Sequence, residues 1–258
     1  MKANFEIPIE HVRAALIVAA KSDVRYYLNG VCFSLDPEKG RVLTIATDGH
    51  RLLVLRATSA LAECEAGEFI VPRDALEDAA KGVKAGTAIN VSLDEDGRVG
   101  LTTLKRQLTT RRVDARFPEW QRVMPYNPSG EPAQYDPAYI ADFGRVASLF
   151  GKSGWIDVGY NGLSPALVTF GTTPDAIAAL MPLRMGENDN AVEWLLGELK
   201  AERRPIRTLG ERALETLGVL CEDWSKVPEG VQVPEAINVN AHWEAAQRIV
   251  KEAKGAAK

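Results

Sequence analysis

A chain of 258 residues, 46% hydrophobic and 26% charged, has the size and composition of one large or two ordinary globular domains. It contains no run near the ~20 apolar residues that a membrane-spanning helix needs. Its start, MKANFEIPIEHVR, lacks a hydrophobic signal core, so a cytoplasmic protein is expected. A net charge of −4 gives no global attraction to nucleic acid, although a local basic face would matter more than the sum. Cys32, Cys64 and Cys221, like His11, His50 and His242, are too scattered for a disulfide framework or a metal site, and no metal or cofactor is expected.

The elements repeat along the chain. A short strand running into an amphipathic helix is expected four times: from Phe5 (FEIPIEHVRAALIVAAK), Phe69 (FIVPRDALEDAAKGVKAG), Gln134 (QYDPAYIADFGRVASLFGK) and Ile237 (INVNAHWEAAQRIVKEAKG). Pro8, Pro72 and Pro137 mark the first three strand-to-helix junctions, where a missing N–H costs nothing. Ile140, Phe143, Val146, Ala147 and Phe150 form one apolar helical stripe, and Trp243, Ala246, Ile249 and Val250 form another. About three strand-like runs follow each of the first three helices, separated by turns at Asn29-Gly30, Asp48-Gly49, Asp96-Gly97 and Asn161-Gly162. The texture changes after Gly186: GENDN reads as a linker, AVEWLLGELKAERR and LGERALETLGVLCEDW as helices broken by Pro205, and KVPEGVQVPEA as a loop. The Arg203-Arg204 pair reads as solvated helix surface.

The stretch TIATDGHRLLVL reads as a β-hairpin turning at Asp48-Gly49, with His50 and Arg51 opening its second strand. No nucleophile in an activating motif accompanies His50, so on local evidence it is a turn histidine.

Taken together and in order, DVRYYLNGVCFSL, TIATDGHRLLVL, FIVPRDAL, DARFPEWQRVMP and ALMPLRM resemble the bacterial DNA polymerase III beta subunit, the replicative sliding clamp, from Phe5 to Met185. DVRYYLNG, ATDGHRL and RFP resemble that family's middle domain, and MPLRM its C-terminal end. The resemblance implies an α+β fold of strand–helix–strands repeats, with helices lining a DNA-encircling ring and sheets outside. Residues 1–128 would be a clamp domain of two units, residues 129–185 a third, half-domain unit, and residues 186–258 a helical extension ending in the fourth strand–helix fragment. It implies an accessory, non-enzymatic protein that holds a polymerase on double-stranded DNA without regard to sequence, as an oligomer, with polymerase and clamp loader as partners through short linear peptides. The alternative is a non-encircling adaptor or decoy that binds the same peptides without DNA.

Carried over residue by residue, the peptide pocket would use Leu28, Thr47, Gly49, His50, Arg51 and Leu52, with Pro118, Arg122 and Val123 as a further wall. Asp136 and Tyr139 would lie at the third helix, and Met181, Pro182, Leu183 and Arg184 would close it. Leucine, valine, proline and methionine suit an adaptable apolar floor, and His50 and the arginines suit peptide carbonyls or a carboxylate. Arg13, Lys21, Arg73, Lys81, Lys84, Arg145 and Lys152, beside the helices, and Tyr26 and Tyr27 would face DNA, interleaved with Glu77, Asp78 and Asp142. The family's first domain and the first half of its last have no counterpart here. The third unit's sheet should therefore carry an open edge, covered by the C-terminal region, by a second chain or by a full-length clamp.

Overall fold

In the computed structural model, residues 2–61, 64–151, 154–171 and 173–184 are described. The expected linker, helices and fourth strand–helix fragment beyond Gly186, and Lys152, lie outside them.

The first unit runs β1 (Ala3–Pro8), α1 (Ile9–Val18), β2 (Gly30–Asp36), β3 (Arg41–Thr47) and β4 (Arg51–Thr58). The second runs β5 (Gly67–Pro72), α2 (Arg73–Ala80), β6 (Ala88–Leu93), β7 (Arg98–Thr102) and β8 (Gln107–Arg111). The third holds α3 (Pro137–Leu149), β9 (Ile156–Gly159), β10 (Ala166–Phe170) and β11 (Ala176–Leu180). Strict alternation in ANFEIP buries Ala3, Phe5 and Ile7 and exposes the residues between, the period-2 pattern of a half-buried strand. Pro8 and Pro72 stand immediately before α1 and α2, whereas Pro137 is the first residue of α3. The Asp136 carboxylate accepts the Ala138 N–H at 2.8 Å and caps α3. On α3, Phe143, Val146 and Ala147 are buried, with Ile140 and Phe150 half-buried at the margins of the stripe.

The first two units exchange their leading strands. β1 pairs with β6, giving the sheet β1-β6-β7-β8, while β5 pairs with β2. The third unit joins the first through β11 and β4, so one seven-stranded sheet runs β5-β2-β3-β4-β11-β10-β9. All three helices cover the same core, with α1 against both α2 and α3, and Phe5, Phe33, Phe69, Phe143 and Phe170 fill it. On the opposite face of the large sheet, the segment after β8 folds back: Phe117 and Met124 are buried against Cys32, Ile45, Leu52, Val54, Ile70 and Ala179.

Two expectations need correction. No leading strand forms at Gln134–Asp136. In the first two units that strand is held by the neighbouring unit's sheet, and here none of the described residues is paired to it as a strand. The Asp48-Gly49 hairpin is also longer than a two-residue turn. Thr47 ends β3 and Arg51 opens β4, as expected, so Asp48, Gly49 and His50 form the loop, and His50 is a loop residue rather than the start of a strand.

Candidate peptide pocket and helix-side groove

The pocket sits where the first unit meets the third. Pairing of β4 with β11 sets Leu52 opposite Ala179 and Arg51 opposite Leu180, and the Met181 N–H donates to the His50 carbonyl at 2.8 Å. The hairpin loop is fixed from within. Asp48 Oδ1 accepts the N–H groups of His50 (2.9 Å) and Arg51 (3.1 Å), while Thr47 Oγ1 accepts the Gly49 N–H and donates to the Arg51 carbonyl. Gly49 has φ +91°, a left-handed backbone conformation that favours glycine, and the Arg25 guanidinium lies close against it.

Around this loop lies an apolar cavity of about 180 Å³. Leu28, Thr47, Gly49, His50, Arg51, Leu52, Pro118, Val123 and Met181, all named from the sequence, line it together with Arg25, Tyr27, Glu119, Trp120, Pro165 and Ala179. Leu28 and Leu52 are buried in its floor, while Met181 and Val123 are 38% and 45% exposed at its mouth. Arg25 stands on the rim, held by two bonds to the Asp23 carboxylate (3.0 and 2.8 Å). Those bonds hold Asp23 at a pKa of about 2.

Six residues named for the pocket lie elsewhere. Arg122 is exposed and paired to Glu119. Asp136 is the α3 cap. Pro182, Leu183 and Arg184 continue past Met181, and the Leu183 N–H donates to the Gln134 carbonyl at 2.7 Å. Tyr139 stacks on His50 (centroids 6.0 Å apart) and lies 4.5 Å from the Arg51 guanidinium, but it faces the helix side. Conversely Tyr27, named for DNA, lines the pocket, whereas its neighbour Tyr26 is 58% exposed. Of the lining residues not named, Trp120 follows Pro118 by two in RFPEWQRV, and Ala179 precedes Met181 by two on the same strand face. Arg25 and Pro165 carry no such signal.

The helix side forms a second, open groove of about 910 Å³. Arg13, Lys21, Arg73 and Arg145 line it, with Asp23, Asp48, Glu77 and Asp142 among them. Arg73 binds Glu77 and the Ala19 carbonyl, Arg145 binds Asp142, and Arg13 donates to the Val83 carbonyl. Lys81 pairs with Asp78, and Lys84 is exposed; neither lines the groove. Arg51 and His50 border both cavities. Arg51 is 8% exposed and binds Asp48 (3.0 Å), Asp142 (2.8 Å) and the Ile17 carbonyl (3.0 Å), so one guanidinium ties the hairpin to α1 and α3. Burial would raise the Asp142 pKa, but its bonds to Arg51 and Arg145 outweigh that and lower it.

Among the described residues no cluster of His, Cys, Asp and Glu could hold a metal ion, and no helix is long and apolar enough to cross a membrane. Cys32 and Cys64 are free thiols, the first buried.

Strand exchange between paired units, helices on one face and a pocket between units are the features of a sliding-clamp-like fold. Residues 4–119 match the family model of the DNA polymerase III beta subunit, central domain. The beta sliding clamp of Pseudomonas aeruginosa is 30% identical over 135 residues, which cover 47% of this chain and 34% of the relative. That of Haemophilus influenzae is 34% identical over 137 residues, covering 49% and 35%. The chain thus spans about a third of the length of the curated relatives it matches. In fold it is similar to the DNA polymerase sliding clamp from P. aeruginosa solved with ligand (TM-score 0.57, 20% identity, covering 71% of this chain and 66% of that one). The DNA polymerase III beta subunit from Thermotoga maritima is similar too (TM-score 0.56, 18% identity, covering 71% and 66%).

Proposed function

We propose that this chain is an accessory replication protein that captures short linear peptides of polymerase and clamp-loader subunits in the Leu28–Leu52–Met181 pocket and tethers them to duplex DNA, with no chemistry of its own. The observation that carries this reading is the pocket's construction. Residues from five separate stretches meet on an apolar floor beside a fixed hairpin, with a few polar groups at the rim, the form of a preformed ligand site. His50, Arg51 and Arg25 supply donors for peptide carbonyls or a carboxylate.

DNA contact belongs to the helix-side groove. Arg145, whose side chain is largely exposed, is paired to Asp142; an exposed pair is worth only about 0–1 kcal/mol, so exchanging its carboxylate for a phosphate costs little. Contact of this kind is independent of sequence and weakens with salt.

The test is a labelled peptide with an internal glutamine and a leucine-phenylalanine end, titrated by fluorescence anisotropy. Micromolar binding is expected, about −7 to −8 kcal/mol. No anisotropy change at high protein concentration would sink the peptide reading. For tethering, retention on nicked circular DNA is compared with linearised DNA, with and without a clamp loader. Longer retention on the circle is expected of an encircling assembly, and equal retention refutes it.

A further inference from the structure

We infer that two copies of this chain associate through their third units, each copy's Gln134–Asp136 segment lying against the partner's β9 as β5 lies against β2. This interface follows from strand pairing alone and does not rest on the peptide or DNA readings above.

The first two units give the rule. Each donates its leading strand to the other's sheet, in matching registers: Pro8, the residue before α1, pairs with Ala88 at the start of β6, and Pro72, the residue before α2, pairs with Gly30 at the start of β2. The outer side of the donated strand is held by the tail of its own unit. Val113, just after β8, donates to the Ile70 carbonyl, and Glu65, beyond β4, donates to the Lys2 carbonyl.

The third unit has both halves of this device with no described counterpart for either. Leu183, just after β11, donates to the Gln134 carbonyl as Val113 does to Ile70; Gln134 and Ile70 each stand three residues before the first residue of their helix. The donor segment is therefore held on its outer side, while its inner side makes no ladder. The acceptor is β9, which among the described residues ends the seven-stranded sheet and pairs with β10 alone. Gly171 donates to the Trp155 carbonyl, which fixes the alternation: Asp157 and Gly159 face β10, and the backbone groups of Ile156 and Val158 point to the open edge. Among the described residues the far end of that edge is occupied, by bonds from Gly130 to the Tyr160 carbonyl and from Gly162 to the Glu131 carbonyl.

The helix beside this edge is prepared in the same way. At 100° per residue, Asp142, Arg145 and Leu149 of α3 point toward α1, which places half-buried Ile140 and exposed Gly144 on the opposite side. A Cβ on Gly144 meets nothing within 4 Å. In the first pair of units α1 and α2 pack against each other. A donor and an acceptor in one unit are self-complementary, so a twofold satisfies both at once, and a closed twofold is the commonest form of homo-oligomer. Exposed edges otherwise recruit strands at random.

The test is the mass of the full chain by light scattering and sedimentation over a wide concentration range. Wild type should run at twice the chain mass. Gly144→Glu sets two carboxylates face to face across the α3 contact, and Val158→Pro removes a free-edge N–H while leaving the bonds to β10. Each should return the protein to a monomer with an unchanged circular dichroism spectrum. Thr109→Pro, the same change on the free edge of β8, should leave the dimer intact. A monomeric wild type, as when another segment or protein fills the edge, overturns the proposal. So does a dimer that survives both Gly144→Glu and Val158→Pro, or one abolished by Thr109→Pro. If Val158→Pro fails to fold, Gly144→Glu alone decides, since its site is exposed and replacing glycine favours the helix.

Discussion

Truncating the mouth of the pocket should weaken peptide binding without unfolding the protein. Full burial of a valine or methionine side chain contributes about 1.5–3 kcal/mol. Met181 and Val123 are 38% and 45% exposed in the free protein, so a peptide that covers them completely gains only that remaining fraction, about 0.6–1.3 kcal/mol from each. Met181→Ala combined with Val123→Ala forfeits most of it, together about 1–2 kcal/mol, which is roughly a 5- to 30-fold rise in Kd. Because both side chains already face solvent, the unfolding midpoint should shift little. Leu183→Ala is the discriminating control. Leu183 is just as exposed, at 42%, but it does not line the cavity, and its replacement should leave Kd within roughly twofold. Anisotropy titrations of the four proteins with one peptide decide the matter. If Leu183→Ala weakens binding as much as the double variant, or the double variant binds like wild type, the pocket has been assigned to the wrong surface.

Arg51→Ala leaves Asp48 and Asp142 without their shared buried partner and should cost about 3–5 kcal/mol in chemical denaturation; a loss under about 1 kcal/mol would show the network to be dispensable. His11 is 6% exposed, and burial lowers its pKa from 6.5 to about 4. The unfolded chain therefore takes up this proton first, and stability complete above pH 6.5 should fall by about 2–4 kcal/mol as pH drops toward 4, at 1.36 kcal/mol per unit. His11→Gln should flatten that acid limb in urea melts, and an unchanged limb would refute the cause. His50→Ala should impair peptide binding only; nucleotide or DNA turnover that vanishes with this change would overturn the non-enzymatic reading.

The repeating strand–helix–strands pattern was legible because it is local. Alternation in ANFEIP, a helical stripe in PAYIADFGRVASL and prolines at the junctions act through backbone sterics and side-chain period within a few residues. The residues of the pocket became legible only through resemblance, since no local rule joins Leu28, Leu52, Pro118 and Met181. Tertiary structure decided the rest. Which strand a strand pairs with is a long-range choice, and backbone ladders carry no sequence label, so neither the exchange of β1 and β5 nor the joining of β4 to β11 could be read from composition or period. Those pairings settle which side each residue faces. They turn Tyr27 into the pocket and leave Tyr26 in solvent, set Tyr139 beneath Arg51 on the helix side, and carry Leu183 past the cavity to Gln134. They also explain the missing strand at Gln134–Asp136: its sequence resembles the other leading segments, but a strand exists only where a second strand's hydrogen-bonding groups meet it.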